Sequence, residues 1–124
     1  MHADVCRYLP EVAHPWATFT AAGYNVEFVS PKGGDSPVDP GSVTAFAKDE
    51  ICTAFLANKD VMDALKSTKA IADCNSSSFK AVFVAGGHGP MWDLPKSEVH
   101  NKFVADAYEA GNVVAGELQC CLIG

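Results

Sequence analysis

The run Ala81-Val82-Phe83-Val84-Ala85-Gly86-Gly87-His88-Gly89-Pro90 constrains this chain more than any other stretch. Five small or apolar residues pass straight into two glycines, a histidine and a third glycine. A short, unbroken apolar run predicts a strand buried on both faces, as in a parallel sheet covered by helices. The glycines permit positive φ and let backbone N–H groups face a ligand without interference from Cβ. In open α/β sheets, ligands bind in the crevice beyond the carboxyl ends of the strands. Gly86, Gly87, His88 and Gly89 therefore mark a candidate binding loop.

The flanking segments supply the other parts of such a fold. From about Pro10 to Ala22, Val12, Trp16 and Phe19 share a helical face, with Gly23 as the C-terminal cap. Pro15 fits best in the first turn, since deeper in it kinks a helix. Tyr24–Ser30 reads as a strand stopped by Pro31 and Gly33-Gly34, and Asp35–Ser42, with Pro37, Pro40 and Gly41, as a loop. Two helical pieces follow, roughly Phe46–Ala57 and Val61–Lys66, the second with Asp60 as N-cap. Asn75-Ser76-Ser77-Ser78 is a polar turn. Ser97 caps a helix whose Val99, Phe103, Ala107 and Ala110 share a face and which Gly111 closes, and Val113-Val114-Ala115 opens another buried strand. Strands alternating with helices predict a parallel sheet, with Val26–Val29, Val82–Ala85 and Val113–Ala115 as neighbours.

Bulk properties narrow the class. A chain of 124 residues holds one domain at most; 48% hydrophobic and 19% charged residues make it globular rather than disordered. The formal net charge of -6, with no basic run, argues against a nucleic-acid or anionic-membrane partner. The start, Met1-His2-Ala3-Asp4-Val5-Cys6-Arg7, lacks the apolar core of a signal peptide, and no apolar run approaches the ~20 residues of a membrane span. The expectation is a soluble, cytoplasmic protein, with the nucleus as the alternative. Five cysteines (Cys6, Cys52, Cys74, Cys120, Cys121) are an odd number without C-x-x-C spacing, which predicts free thiols, no metal and no cofactor.

Several runs, taken in order, resemble one family. They are Tyr8-Leu9-Pro10-Glu11-Val12-Ala13-His14-Pro15, Ala22 through Gly34 (Ala-Gly-Tyr-Asn-Val-Glu-Phe-Val-Ser-Pro-Lys-Gly-Gly), Pro37-Val38-Asp39-Pro40, and Ala85-Gly86-Gly87-His88-Gly89-Pro90-Met91-Trp92-Asp93-Leu94-Pro95. Together they resemble the ThiJ/PfpI superfamily, in its branch of heat-shock-type chaperones and glutathione-independent glyoxalase III enzymes. The match covers about 7–115, within a single partial domain spanning 1–124, and 116–124 form a divergent tail. The resemblance implies an α/β fold: a flavodoxin-like, class I glutamine amidotransferase-like three-layer sandwich with a parallel sheet, here incomplete. It also implies a homodimer.

The family's site resembles a Cys-His-Glu arrangement, and Glu11 occupies the position matching its glutamate. On residue type alone, a glutamate in a helix's first turn is a solvated residue favoured by the dipole. The resemblance assigns it the acid/base role. Gly86, Gly87 and Gly89 would supply oxyanion amides, against the plainer reading of a tight turn, and His88 would shape the pocket. His14 reads as structural, His2 and His100 as solvent-exposed, and Trp16 and Trp92 as packing residues. The implied substrate is a small 2-oxoaldehyde such as methylglyoxal, converted to D-lactate.

The chain departs from the family at both ends. It has no equivalent of the strand preceding the residues that match Tyr8. Where the family continues Ala-Val-Cys-His-Gly, this chain has Gly116-Glu117-Leu118-Gln119-Cys120, which puts Leu118 at the nucleophile's place and Gln119 at the histidine's. Cys120 is the nearest substitute nucleophile, with neither the following histidine nor the turn glycine. The reading is a truncated or frame-altered product, as from a broken gene model, with impaired glyoxalase activity. A non-catalytic chaperone-like or interaction module is the alternative.

Overall fold

A computed structural model describes residues 7–86 and 96–116. Helix α1 spans Leu9–Ala21. Pro10 sits in its first turn, where a missing N–H costs nothing, but Pro15 lies in the interior and has no N–H for the Glu11 carbonyl. The helix nevertheless runs on through Pro15 rather than starting at it, contrary to the sequence expectation. It ends in a Schellman pattern: Gly23, at φ 86°, donates its N–H to the Thr20 carbonyl, and Tyr24 donates to Phe19, both at 3.0 Å.

Strand β1 is only Val29–Ser30, far shorter than the expected Tyr24–Ser30 strand. It pairs in parallel with β2, Lys69–Ala70, a strand too short to read from the sequence. After β1 the chain folds back so closely that a Cβ on Gly33 (φ +72°) would lie 2.9 Å from the Ala70 nitrogen. Only glycine fits there.

Between β1 and β2 lie three helices, where the sequence suggested a loop and two helices. α2 (Pro40–Ala45) begins inside the expected loop: the Asp39 carboxylate accepts the Ser42 N–H at 2.7 Å, and Pro40 fills the first helical position. α3 (Glu50–Ala57) is capped by Asp49, and α4 (Lys59–Lys66) by Asn58 rather than Asp60. Single 3-10 turns at Ile71–Asp73 and Ser76–Ser78 lead to β3, Ala81–Val84. Helix α5 (Glu98–Glu109), capped by Ser97 as expected, connects to β4, Val113–Gly116. β3 and β4 pair in parallel, from Ala81 opposite Val113 to Val84 opposite Gly116. The result is an α/β arrangement of helices and short parallel strands, consistent with an incomplete flavodoxin-like fold.

Two expectations need correction. β1 is not the hydrogen-bonded neighbour of β3; its partner is β2. A cleft of about 690 Å³ lies between the two parallel pairs, with Val26, Phe28 and Val29 on one wall and Phe79, Phe83 and Ala85 on the other. For the same reason β3 is not buried on both faces. Val82, Phe83 and Val84 are half-buried, because the cleft leaves one flank of the strand open. The main core forms instead from helices: Leu9, Val12 and Ala13 of α1 meet Cys52 and Phe55 of α3 and Val61 and Leu65 of α4. Trp16 packs edge-on against Phe55, with ring centroids 5.4 Å apart.

Candidate active site

The amino end of α1 is fastened to β1 and to the 36–42 segment by a specific set of bonds. Arg7, just before the helix, exchanges backbone bonds with the 37–39 segment: its N–H donates to the Pro37 carbonyl at 3.0 Å, and its own carbonyl accepts from Asp39 at 2.8 Å. Its guanidinium donates to the Ser36 hydroxyl at 2.6 Å and to the β1 carbonyl of Val29 at 2.9 Å. Burial lowers the Arg7 pKa from its ordinary value, so these neutral acceptors matter to keeping the charge in place. The Leu9 N–H, one of the helix's orphan donors, reaches the buried Ser42 hydroxyl at 3.0 Å.

Glu11 stands in the first turn of the helix so held. There its carboxylate gains from the positive end of the helix dipole. The side chain is half-buried, and its Oε2 atom is shut off from solvent. Ala85, the residue that leaves β3, packs against the core cluster to which Leu9 and Val12 belong. Gly86 follows and is buried. The carboxyl end of β3 thus packs against the helix that carries Glu11. Gly87, His88, Gly89 and Cys120 lie outside the described residues, as do Trp92 and Cys121.

One turn beyond Glu11, the structure assembles a group that residue spacing did not reveal. Asp49 caps α3 by accepting the Cys52 N–H on Oδ1 at 2.9 Å, while its Oδ2 lies 2.8 Å from His14 Nε2. His14, read from the sequence as structural, has a side chain 45% exposed that joins α1 to the cap of α3. These bonds hold the Asp49 carboxyl below its ordinary pKa, the Cys52 N–H foremost and His14 next. The Cys52 thiol, fully buried, is pushed up to about 11 by desolvation first and the Asp49 charge second. A thiol in that state is no nucleophile. The 35-residue separation of His14 and Asp49 hid the contact; the Asp49-x-x-Cys52 capping pattern was its only local trace.

Known proteins share this fold and much of this sequence. Residues 3–111 match the family described as ThiJ/PfpI family-like. The Candida albicans protein "Glyoxalase 3" is 28% identical over 109 residues, covering 87% of this chain and 46% of that protein. A "Glutathione-independent glyoxalase" of Schizosaccharomyces pombe is 31% identical over 110 residues, covering 87% of this chain and 45% of its own. The chain thus spans about half the length of the curated relatives it matches. Among solved structures, the Rapid Encystment Protein 24 KDa of Francisella tularensis superposes with a TM-score of 0.80 at 32% identity, over 89% of this chain and 48% of that one. The crystal structure of glyoxalase III from Candida albicans gives 0.77 at 25% identity, over 89% and 46%.

Proposed function

The chain belongs to the ThiJ/PfpI-like family, and from that premise we propose that it carries the acid/base and oxyanion-binding half of a glutathione-independent glyoxalase III site. Glu11 is the proposed acid/base. The single observation that supports it is the state of the Glu11 carboxyl, set in the first turn of α1 with its Oε2 withdrawn from water. In such a reaction a thiolate adds to the aldehyde carbon of a 2-oxoaldehyde, giving a thiohemiacetal. A base removes the proton from that carbon and returns it to the adjacent one, leaving a thioester that water hydrolyses to D-lactate. A carboxyl withdrawn from water suits the proton transfer. Backbone N–H groups of Gly86, Gly87 and Gly89 would suit the developing oxyanion, with His88 given the role of shaping the pocket. The covalent step is the weak link, with Leu118 and Gln119 at the Cys-His positions and Cys120 two residues on.

The proposal is that the chain as written turns over little or no methylglyoxal. The test measures D-lactate formed from methylglyoxal without glutathione, using the unmodified chain, Cys120→Ala, and a restored version carrying Glu117→Val, Leu118→Cys, Gln119→His and Cys120→Gly. Activity should appear on restoration and fall about 10²–10⁴-fold when Glu11→Gln is added. Turnover by the unmodified chain that vanishes in Cys120→Ala would place the nucleophile at Cys120. Indifference of the restored version to Glu11→Gln would remove the role given to Glu11.

A non-catalytic interaction module is the second reading. It is supported by Tyr24 and Val113, two large side chains 55% and 65% exposed that both border the cleft between the parallel pairs.

A further inference from the structure

We propose that His14, Asp49 and Cys52 bind a single divalent cation of the zinc class, joining helix α1 to helix α3. Each residue offers one ligand atom, an imidazole nitrogen, a carboxylate oxygen and a thiol sulfur, and all three atoms lie within 4.8 Å of one another. Tetrahedral zinc holds sulfur at about 2.3 Å and nitrogen or oxygen at about 2.0 Å, which sets its ligand atoms roughly 3.2–3.8 Å apart. The three atoms are thus gathered on the scale of a metal site and need to close in on the ion by about an ångström at most. His14 Nε2 and Asp49 Oδ2, now 2.8 Å apart, have to separate slightly to admit it. His14 makes that movement: its side chain is the exposed member, while Asp49 is tied to the α3 backbone through Cys52 N–H and Cys52 is fixed in the core.

The donor set selects the metal. Calcium and magnesium take oxygen ligands in larger number, whereas one sulfur, one nitrogen and one oxygen suit zinc, or cobalt as its spectroscopic substitute. The fourth position falls to water on the exposed His14 side. Asp49 is already oriented for this, since its Oδ1 keeps the bond from the Cys52 N–H while Oδ2 turns to the metal. The ligation balances simply. The cation forms a bond to Cys52 sulfur, the S–H bond breaks, and one proton leaves to solvent.

Three ligands from two helices would also do mechanical work. α1 carries Glu11 one turn before His14, and α3 supplies Phe55 to the main core. A metal clip between them stabilises the packing that positions the candidate site.

The test uses the full chain, stripped with chelator and titrated with cobalt(II). The expected result is a sulfur-to-cobalt charge-transfer band in the near ultraviolet with tetrahedral d–d absorption in the visible. One equivalent of zinc should displace both, and one proton should be released per cation. Cys52→Ala should abolish the charge-transfer band. His14→Gln should weaken cobalt binding by about tenfold or more. Asp49→Asn should do the same while preserving the α3 cap, because an asparagine side-chain oxygen caps equally well. Circular dichroism confirms that each variant is folded, and Asp49→Asn decides the matter if the core variant Cys52→Ala is not. The proposal fails if the band persists in Cys52→Ala, which would place the metal on other thiols. It fails equally if the folded chain shows no cobalt spectrum at millimolar metal, or if Asp49→Asn and His14→Gln bind as well as the unmodified chain.

Discussion

The molecule's two parallel strand pairs are covered very differently. Around β1 and β2, four helices close a continuous core in which Leu9, Ala13, Cys52 and Phe55 have no exposed surface. Around β3 and β4, the described buried apolar side chains are Phe103, Val104 and Ala107 of α5 and Ile71 of the turn beside it, and the strands stay half-buried or exposed. Yet the second pair has the longer strands and the more complete ladder. The contrast shows that in this chain sheet length does not measure stability. Packing of amphipathic helices should do so instead, and Glu11 lies on a helix of the better-buried region.

The largest test of that contrast is a pair of matched truncations. Phe55→Ala removes a ring with no exposure that meets both Trp16 and Phe28 edge-on. It should cost about 3–5 kcal/mol in urea unfolding. Phe103→Ala removes an equal volume from a ring 8% exposed that meets Phe79 and whose surroundings can collapse more readily. Its cost should fall at or below the lower end of the same ~3–5 kcal/mol range. Equal costs would mean that the β3–α5–β4 unit is as well packed as the helical region, and the comparison would be lost.

Much of the weaker region was legible in the sequence. Ala81–Val84 announced itself by an unbroken apolar run, and α5 by Ser97 at one end and Gly111 at the other, because these are local signals. The firmer region was harder to read. Two-residue strands carry no periodicity, so β2 left no trace and β1 was drawn too long. Asp39-Pro40-Gly41 looked like a loop because proline and glycine dominate turns, although Asp39 and Pro40 also spell a helix start. Of the candidate site, Glu11 is singled out by an ordered motif. The His14–Asp49 contact is not, since it depends on how α1 and α3 pack, which no local pattern encodes.

A second, smaller effect follows from the thiol sealed into the firmer region. With its pKa pushed up from 9.0 to about 11, Cys52 holds its proton more tightly folded than unfolded. The stability this contributes is present below pH 9.0 and lost as pH rises toward about 11. Metal-free protein should therefore show a denaturation midpoint that falls over this window, and Cys52→Ala should flatten the fall. Cys74, half-buried, shifts in the same direction and chiefly by desolvation, so Cys74→Ala should flatten it less. A slope unchanged by Cys52→Ala would show that the thiol is open to solvent and the helical core looser than described.

The smallest effect belongs to the ion pair that ties β2 to the segment before β1. Lys69 Nζ lies 2.6 Å from a Glu27 oxygen, but the lysine side chain is 63% exposed. The hydrogen bond to Glu27, then its charge, raises the lysine pKa, so the pair's contribution is complete at neutral pH and disappears only as pH rises through the lysine range. Water and salt screen such a pair, and an exposed bridge adds little to stability. Lys69→Met should therefore lower the urea midpoint at pH 7 by much less than either phenylalanine truncation, and 1 M salt, where the screening length is about 3 Å, should erase the difference. A large, salt-insensitive loss would mean that β1–β2 is held by charge at its edge rather than by the helices packed over it. The contrast between the two strand pairs would then rest on electrostatics and not on burial.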